Sequence, residues 1–156
     1  MKSLKYSRIK NHIVTSIFLV FAMLVMASPV LANSSNWWFL AYYDRYYLSG
    51  KANGVFHNMT AGNLTNSGYI YVTYIQGGTP SGRQPWYFEV WKKNTLVDKK
   101  ICTSNAVYPN VMVGPNYKTN FSKNCGNISS GSYYLVIWRA ASDNREVTGS
   151  GTLATP

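Results

Sequence analysis

The fold is indicated most clearly by residues 86–101, which read WYFEVWKKNTLVDKKI. Apolar and polar side chains alternate on either side of the polar segment Lys92-Lys93-Asn94-Thr95. Such alternation over short runs is typical of half-buried β-strands. The pattern therefore predicts a β-hairpin in which Val90 and Val97 face one core.

A second hairpin is predicted toward the C-terminus. Its arms, Tyr133–Arg139 and Val147–Leu153, flank the turn-forming segment Ala141-Ser142-Asp143-Asn144. Elsewhere after Ala32, runs rich in Tyr, Val, Ile, Trp and Thr alternate with clusters of Gly, Asn, Ser and Pro. Strands are predicted near 37–43, 45–50, 54–59, 68–76, 85–92, 95–102, 107–113, 132–140 and 146–153. Closely spaced strands without helical periodicity predict an all-β, single-domain antiparallel β-sandwich, with a small β-barrel as the alternative.

The N-terminus has the features of a cleavable secretory signal peptide. Four basic residues and no acidic residue come first, at Lys2, Lys5, Arg8 and Lys10. The apolar run that follows, Ile13–Ala27, has about 15 residues, whereas a transmembrane helix needs about 20. In Val30-Leu31-Ala32, the first and third residues place small side chains at the two positions that the signal peptidase recognises, which predicts cleavage after Ala32. The alternative, an uncleaved anchor, is disfavoured because Pro29 would interrupt the helix.

This interpretation divides the chain into a signal peptide at 1–32 and one domain at 33–156. The domain contains no second apolar run long enough to cross a membrane, so we expect a secreted, extracellular protein, released or associated with the cell wall. The chain has 15 Lys and Arg and 5 Asp and Glu, a net charge of +10. Since four of the basic residues and none of the acids lie in the leader, the charge of the remaining domain is +6.

Two cysteines, Cys102 and Cys125, lie in the predicted domain. An even pair in an extracellular protein predicts one disulfide. Closing a loop of about 24 residues stabilises a fold by roughly 3 kcal/mol in the chain-entropy model. We expect the bond to hold the irregular connection between the two cysteines against the sheet.

The titratable residues do not indicate an enzyme. After Ala32 there is one histidine, His57, which is interpreted as a residue on a strand face, and only five acids. Neither a glycine-centred nucleophile motif nor the ligand spacing of a metal site is present. Asp44 and Glu89 are the one candidate carboxylate pair for glycoside cleavage, and the sequence does not show that they meet. We expect no catalytic activity, no metal and no cofactor.

Aromatic residues are unusually dense, with 5 Trp and 13 Tyr. One face of each strand fills the core, and the rings on the opposite faces are more apolar than a solvated sheet needs. These candidate ligand-binding rings are Tyr69, Tyr71, Tyr87, Trp91 and Trp138. The alternative is that Tyr and Trp simply suit half-buried strands.

Basic residues add a second candidate element of the same site, because a positive field attracts polyanions. Four of them lie on the arms of the 86–101 hairpin, at Lys92, Lys93, Lys99 and Lys100. The alternative is that these lysines protect a sheet edge from aggregation. Nucleic acid is not an expected partner, since a secreted protein does not meet the usual intracellular targets.

These observations predict a non-enzymatic extracellular binding module. Its expected partner is an anionic or neutral polysaccharide of the cell envelope or matrix, bound through the aromatic face and the basic hairpin. One alternative is a bacteriocin-like toxin or inhibitor acting on other cells, which a growth-inhibition assay would distinguish. Another is a structural matrix protein, which would form oligomers in a concentration-dependent manner.

Overall fold

The computed structural model describes residues 32–44, 47–77 and 82–156. The predicted leader therefore lies outside the described residues, except for Ala32. The described residues form nine strands and no helix, so no helix among them could cross a membrane. The strands are β1 (Asn33–Ala41), β2 (Tyr47–Ser49), β3 (His57–Met59), β4 (Gly62–Ile75), β5 (Trp86–Lys92), β6 (Lys99–Thr103), β7 (Thr119–Ile128), β8 (Gly131–Arg139) and β9 (Arg145–Thr155).

The strands form two antiparallel sheets that pack face to face. The four-stranded sheet has the order β1-β9-β4-β7. The five-stranded sheet has the order β2-β8-β5-β6, and β3 also pairs with β8. The predicted all-β sandwich is thus confirmed.

The core lies between the two inner faces. In β5, Trp86, Phe88 and Val90 are completely buried and point inward, while Tyr87 and Trp91 are partly exposed on the opposite face. This is the alternation that the sequence predicts, and it follows from the two-residue period of a strand. The orientation of β5 therefore determines which of its rings are available to a ligand.

Glycines on the inner face of the four-stranded sheet make room for two large rings of β1. A Cβ atom added at Gly68 would lie 2.7 Å from the Trp37 ring, and one at Gly149 would lie 2.8 Å from the Phe39 ring. The indole Nε1 of Trp37 donates a hydrogen bond of 3.1 Å to Oδ1 of the buried Asn66. Glycine within these strands is explained by close approach of the aromatic rings to the backbone.

Cys102 and Cys125 form the predicted disulfide, with Cα atoms 5.4 Å apart. Cys102 lies in β6 and Cys125 in β7, which are edge strands of opposite sheets. Phe121 of β7 stacks on Phe88 of β5 at a centroid distance of 4.3 Å. The bond therefore joins the two sheets along one edge of the sandwich, beside an aromatic contact.

The segment between the cysteines differs from the prediction. No strand forms at 107–113, where Val107 and Val113 make only isolated bridges and Val111 is 57% exposed. Pro109 interrupts this run because proline cannot donate to a ladder. The true strand is β7, whose polar sequence TNFSKNCGNI conceals it. Even the alternate positions of this edge strand are only partly buried, and Ile128 alone is fully buried.

The prediction of a second hairpin is wrong, because β8 and β9 belong to different sheets. The connection between them passes from one sheet to the other around a buried ion cluster. Nη1 of Arg139 lies 2.5 Å from one carboxylate oxygen of Asp143, and Nη1 of Arg145 lies 3.2 Å from the other. Asn144, with φ 59°, adopts the left-handed conformation that asparagine tolerates.

The predicted pairing of the first hairpin is confirmed, but the predicted position of one residue, Val97, is wrong. β5 and β6 pair from Lys92 opposite Lys99 onward, and Val90 is buried. Val97, which is predicted to face the core, is 78% exposed. It lies in the loop at 93–98, which is longer than predicted because Asp98 accepts a hydrogen bond of 3.0 Å from the backbone of Asn94.

Candidate ligand-binding surface

The outer surface of the five-stranded sheet carries two rows of aromatic side chains. In the first row, Trp138 of β8 pairs with Tyr47 of β2 on one side and Tyr87 of β5 on the other. In the second row, Trp91 of β5 pairs with Tyr134 of β8 and with Lys100 of β6. Residues directly opposite each other in a ladder share a face. These six residues are called the outer aromatic face.

The rings of this face are held by contacts with one another. Tyr87 and Trp138 stack with centroids 4.5 Å apart and planes inclined by 24°. Trp91 and Tyr134 are nearly parallel at 6.3 Å, and Phe56 meets Tyr134 edge-on at 6.1 Å. Most of these rings are half-buried or buried, whereas Tyr47 is 58% exposed.

Between the two rows lies a cleft of about 470 Å³. Its lining residues are Tyr47, Glu89, Trp91, Val136, Trp138, Arg139 and Ala140. Glu89 accepts a hydrogen bond of 2.8 Å from Nε1 of Trp91, and its other carboxylate oxygen lies 3.3 Å from Nζ of Lys100. The carboxylate is thereby held in one orientation inside a cleft with aromatic walls.

The four candidate lysines are divided between two sides of the hairpin. Lys100 lies 5.9 Å from the Trp91 ring, and Lys93 lies 4.5 Å from the Phe56 ring, so both border the outer aromatic face. Lys92 instead donates to Oγ of Ser129. Lys99 pairs with Lys92 and shares its side of the strand pair. The structure therefore brings two of the four candidate lysines, Lys93 and Lys100, to the outer aromatic face and places Lys92 and Lys99 on the other side of the hairpin.

Tyr69 and Tyr71 lie on the outer surface of the four-stranded sheet, away from the other three candidate rings. Their rings stack with centroids 6.3 Å apart. Tyr69 and Trp38 both pair with Ser150 of β9, so Trp38, which is 79% exposed, lies on the same outer surface. Hydrogen bonding to Ser150 and the nearby charge of Lys118 lower the pKa of Tyr69. The expectation of a single aromatic surface is wrong, because the two sheets of a sandwich present opposite outer faces.

A polar contact holds the second aromatic row to the neighbouring loops. The hydroxyl of Tyr134 donates to Asp98 at 3.0 Å, and Asp98 also lies 2.6 Å from Nζ of Lys51. The hydrogen bond from Lys51, with the one from the Asn94 backbone, lowers the pKa of Asp98 to about 2. Burial and the carboxylate of Asp98 raise the pKa of Tyr134 to about 12. Tyr134 therefore remains a neutral donor at ordinary pH.

The three groups considered for catalysis lie in different environments. Glu89 contacts Trp91 and Lys100, while Asp44 lies in the exposed turn after β1. His57 is buried, its Nδ1 lies 2.7 Å from Oγ of Ser35, and burial lowers its pKa. Across the described segments, no group of three or more His, Cys, Asp or Glu is placed to hold a metal ion.

His57 also lines a cavity of about 350 Å³ between β1 and the β2–β3 side of the five-stranded sheet. This cavity lies at the edge of the sandwich opposite the disulfide, because β1 and β7 are the two edges of the four-stranded sheet. Sequence alternation places His57 on a strand face, but it does not reveal the cavity or the contact with Ser35.

Two residues of the outer aromatic face, Tyr47 and Tyr134, escape the sequence analysis. Glu89 is named there as a candidate carboxylate, but its place in the cleft is not predicted. The signal for Tyr134 is present, because it alternates onto the same face of its strand as Trp138. Its position beside Trp91 depends on the register between β5 and β8, which the sequence does not specify. Tyr47 belongs to a strand of three residues, which is too short for a clear periodic pattern.

Comparison with protein-family models and with curated protein sequences found no match. Among solved structures, the chain is similar to a protein from Sulfurospirillum deleyianum with a TM-score of 0.43 and 8% identity, over 78% of this chain and 98% of the other. It is also similar to the Yersinia pseudotuberculosis-derived mitogen with a TM-score of 0.38 and 12% identity, over 80% of this chain and 86% of the other.

Proposed function

We propose that this chain is a secreted, non-enzymatic binding module whose outer aromatic face binds a polysaccharide of the cell envelope or extracellular matrix. The observation that carries the proposal is the cleft between the two aromatic rows, with Glu89 at its base. Clefts that combine apolar walls with a few placed polar groups are the usual form of small-ligand sites.

The chemistry of the cleft suits a sugar ring. Trp138 and Trp91 provide flat apolar surfaces for the C–H faces of a pyranose, and the Glu89 carboxylate accepts hydrogen bonds from sugar hydroxyls. Because Trp91 and Lys100 already hold the carboxylate, little side-chain entropy is lost when a ligand binds. Thr103, the cross-strand partner of Glu89, adds a residue that can hydrogen-bond on the same face.

The lysines that border the face extend the proposed site toward anionic polymers. Lys93 lies above Phe56 and Lys100 beside Trp91, so both ammonium groups are near the rings that would contact the ligand. Such charges accelerate association with a polyanion and make it dependent on salt. An acidic polysaccharide would therefore bind faster than a neutral one at low ionic strength.

Secretion is the second part of the proposal. It is supported by the basic N-terminus, the short apolar run and the small residues before Ala32, as well as by the disulfide. Cleavage after Ala32 would begin the secreted chain at the first residue of β1, Asn33, which pairs with Thr155 at the end of β9. Mass spectrometry of the exported protein would identify the new N-terminus, and an intact leader would contradict this part.

The binding proposal is tested by retention on purified cell-wall polysaccharide, with two tryptophans compared. Trp138→Ala removes a wall of the cleft and is expected to lower retention at least tenfold. Trp38→Ala is the matched control, because Trp38 is 79% exposed on the opposite face of the sandwich. The control is expected to be retained like the parent protein. Equal retention of all three proteins, or loss with Trp38→Ala alone, would reject the proposed face.

A further inference from the structure

The loop between β5 and β6, residues 93–98, presents two large apolar side chains to solvent. Leu96 is 94% exposed and Val97 is 78% exposed. Leu96 is the most exposed of the large apolar side chains in the described residues. The two side chains adjoin each other and form a candidate contact surface.

Hydrogen bonds within the loop hold this apolar tip in place. The side-chain amide of Asn94 donates to the carbonyl of Val97 at 3.0 Å, and the Asn94 backbone donates to Asp98 at 3.0 Å. At the base of the loop, the Lys93 backbone donates to the carbonyl of Ser132 at 2.9 Å. The exposure of Leu96 and Val97 therefore belongs to an organised turn.

The charge around the tip is positive. Lys93 lies at one end of the loop, and Lys99 follows it at the other. The single acid of the loop, Asp98, is neutralised by an ion pair of 2.6 Å with Lys51 from the β2–β3 connection. Within the described residues, Lys99 has no hydrogen bond or ion pair that would occupy its charge.

We propose that this hairpin tip docks onto an anionic lipid surface. Leu96 and Val97 enter the boundary between headgroups and acyl chains, and Lys93 and Lys99 contact the lipid phosphates. Apolar side chains flanked by lysines are the combination that binds at such interfaces. A polysaccharide would engage the lysines but would give the apolar pair nothing to enter, whereas a bilayer engages both.

Leu96 and Val97 lie outside the cleft, while Lys93 borders both sites, so the two proposals are separated by variants of Trp138 on one side and of Leu96 and Val97 on the other. The test is cosedimentation of the purified protein with phosphatidylglycerol–phosphatidylcholine vesicles at low salt. We expect binding to these vesicles, and at least tenfold weaker binding to vesicles of phosphatidylcholine alone. Trp138→Ala, which disrupts the cleft, is expected to leave the vesicle partition coefficient unchanged.

The decisive variant is Leu96→Asn/Val97→Asn, which removes the apolar character of the tip without changing its charge. It is expected to lower partitioning at least tenfold. Val111→Asn/Met112→Asn is the matched control, because these residues are 57% and 50% exposed in another loop. Lys99→Ala is expected to lower partitioning about fivefold, in line with the contribution of one lysine near an anionic surface.

Three results would overturn the proposal. One is equal partitioning of the tip variant and the parent protein, with both folded by circular dichroism. Another is a loss of binding in the Val111→Asn/Met112→Asn control as large as in the tip variant. The third is a dimer in sedimentation velocity that the tip variant dissociates, which would assign the apolar tip to contact with a second copy of the chain.

Discussion

The rings of Tyr87 and Trp138 stack 4.5 Å apart across neighbouring strands of the five-stranded sheet. Neither ring is part of the inner core, so the stack exists only on the outer surface. It holds Trp138 flat beside the cleft before any ligand arrives. A preordered ring of this kind binds with a smaller loss of entropy.

The stack leads to a first prediction, for Tyr87. Tyr87→Ala removes the support of Trp138 and is expected to weaken saccharide binding by about 2–12-fold, the equivalent of the 0.5–1.5 kcal/mol that aromatic pairs contribute. Tyr87→Phe keeps the ring and is expected to bind like the parent protein. Isothermal titration with a soluble wall fragment measures both. A larger loss of saccharide affinity in Tyr87→Phe than in Tyr87→Ala would contradict the role of stacking.

The second prediction concerns the buried ion cluster in the β8–β9 connection. Asp143 is completely buried and contacts both Arg139 and Arg145. Asp143→Asn leaves two buried guanidinium groups without their shared counter-charge and is expected to lower the free energy of unfolding by about 3–5 kcal/mol. Urea denaturation measures the change. A loss below about 1 kcal/mol would mean that the cluster does not hold the two sheets together.

A third prediction follows from the low pKa of Asp98. Its folded pKa is about 2, below the ordinary value of 3.8. A carboxyl with a lowered folded pKa contributes stability above its unfolded pKa, and that stability is lost as the pH falls through the folded pKa. The stability difference between the parent protein and Asp98→Asn is therefore expected to be constant above about pH 5 and to shrink between pH 4 and pH 2. Urea midpoints across this range test it, and a difference independent of pH would contradict it.

The disulfide provides a fourth prediction. Cys102 and Cys125 are 23 positions apart and join edge strands of the two sheets. Reduction is expected to lower the free energy of unfolding by roughly 3 kcal/mol. Cys102→Ser/Cys125→Ser should match the reduced protein and no longer respond to reductant. If the oxidised and reduced proteins unfold at the same urea concentration, the bond does not stabilise the sandwich.

Strand alternation was sufficient to predict the sandwich and the outward rings of β5, and the even pair of cysteines was sufficient to predict the disulfide. The partner of β9 could not be predicted in this way, because a short polar connection looks the same whether the chain forms a hairpin or crosses to the other sheet. In the structure, this connection contains the buried cluster around Asp143. The cluster joins Arg139 of β8 to Arg145 of β9, which is a contact between the two sheets that local alternation does not show. Similarly, β7 has too little apolar character to be recognised, since at the edge of the sheet even its alternate positions are only partly buried.

The candidate site was predicted in part. Alternation places Tyr87, Trp91 and Trp138 on outer faces, but it does not say that Tyr69 and Tyr71 belong to a different sheet. That division depends on which strands pair. The role of Glu89 at the base of the cleft depends on the register that brings Trp91 and Lys100 beside it.

The central claim, that the outer aromatic face binds polysaccharide, is tested most directly by the indole N–H signals of the chain's 5 tryptophans in a two-dimensional NMR titration with soluble wall saccharide. Trp91 and Trp138 line the cleft, Trp37 and Trp86 are buried in the core, and Trp38 is exposed on the opposite sheet. The account predicts saturable shifts of the Trp91 and Trp138 signals, with the other three unchanged. Shifts of Trp38 alone, or no shift at saturating saccharide, would contradict it.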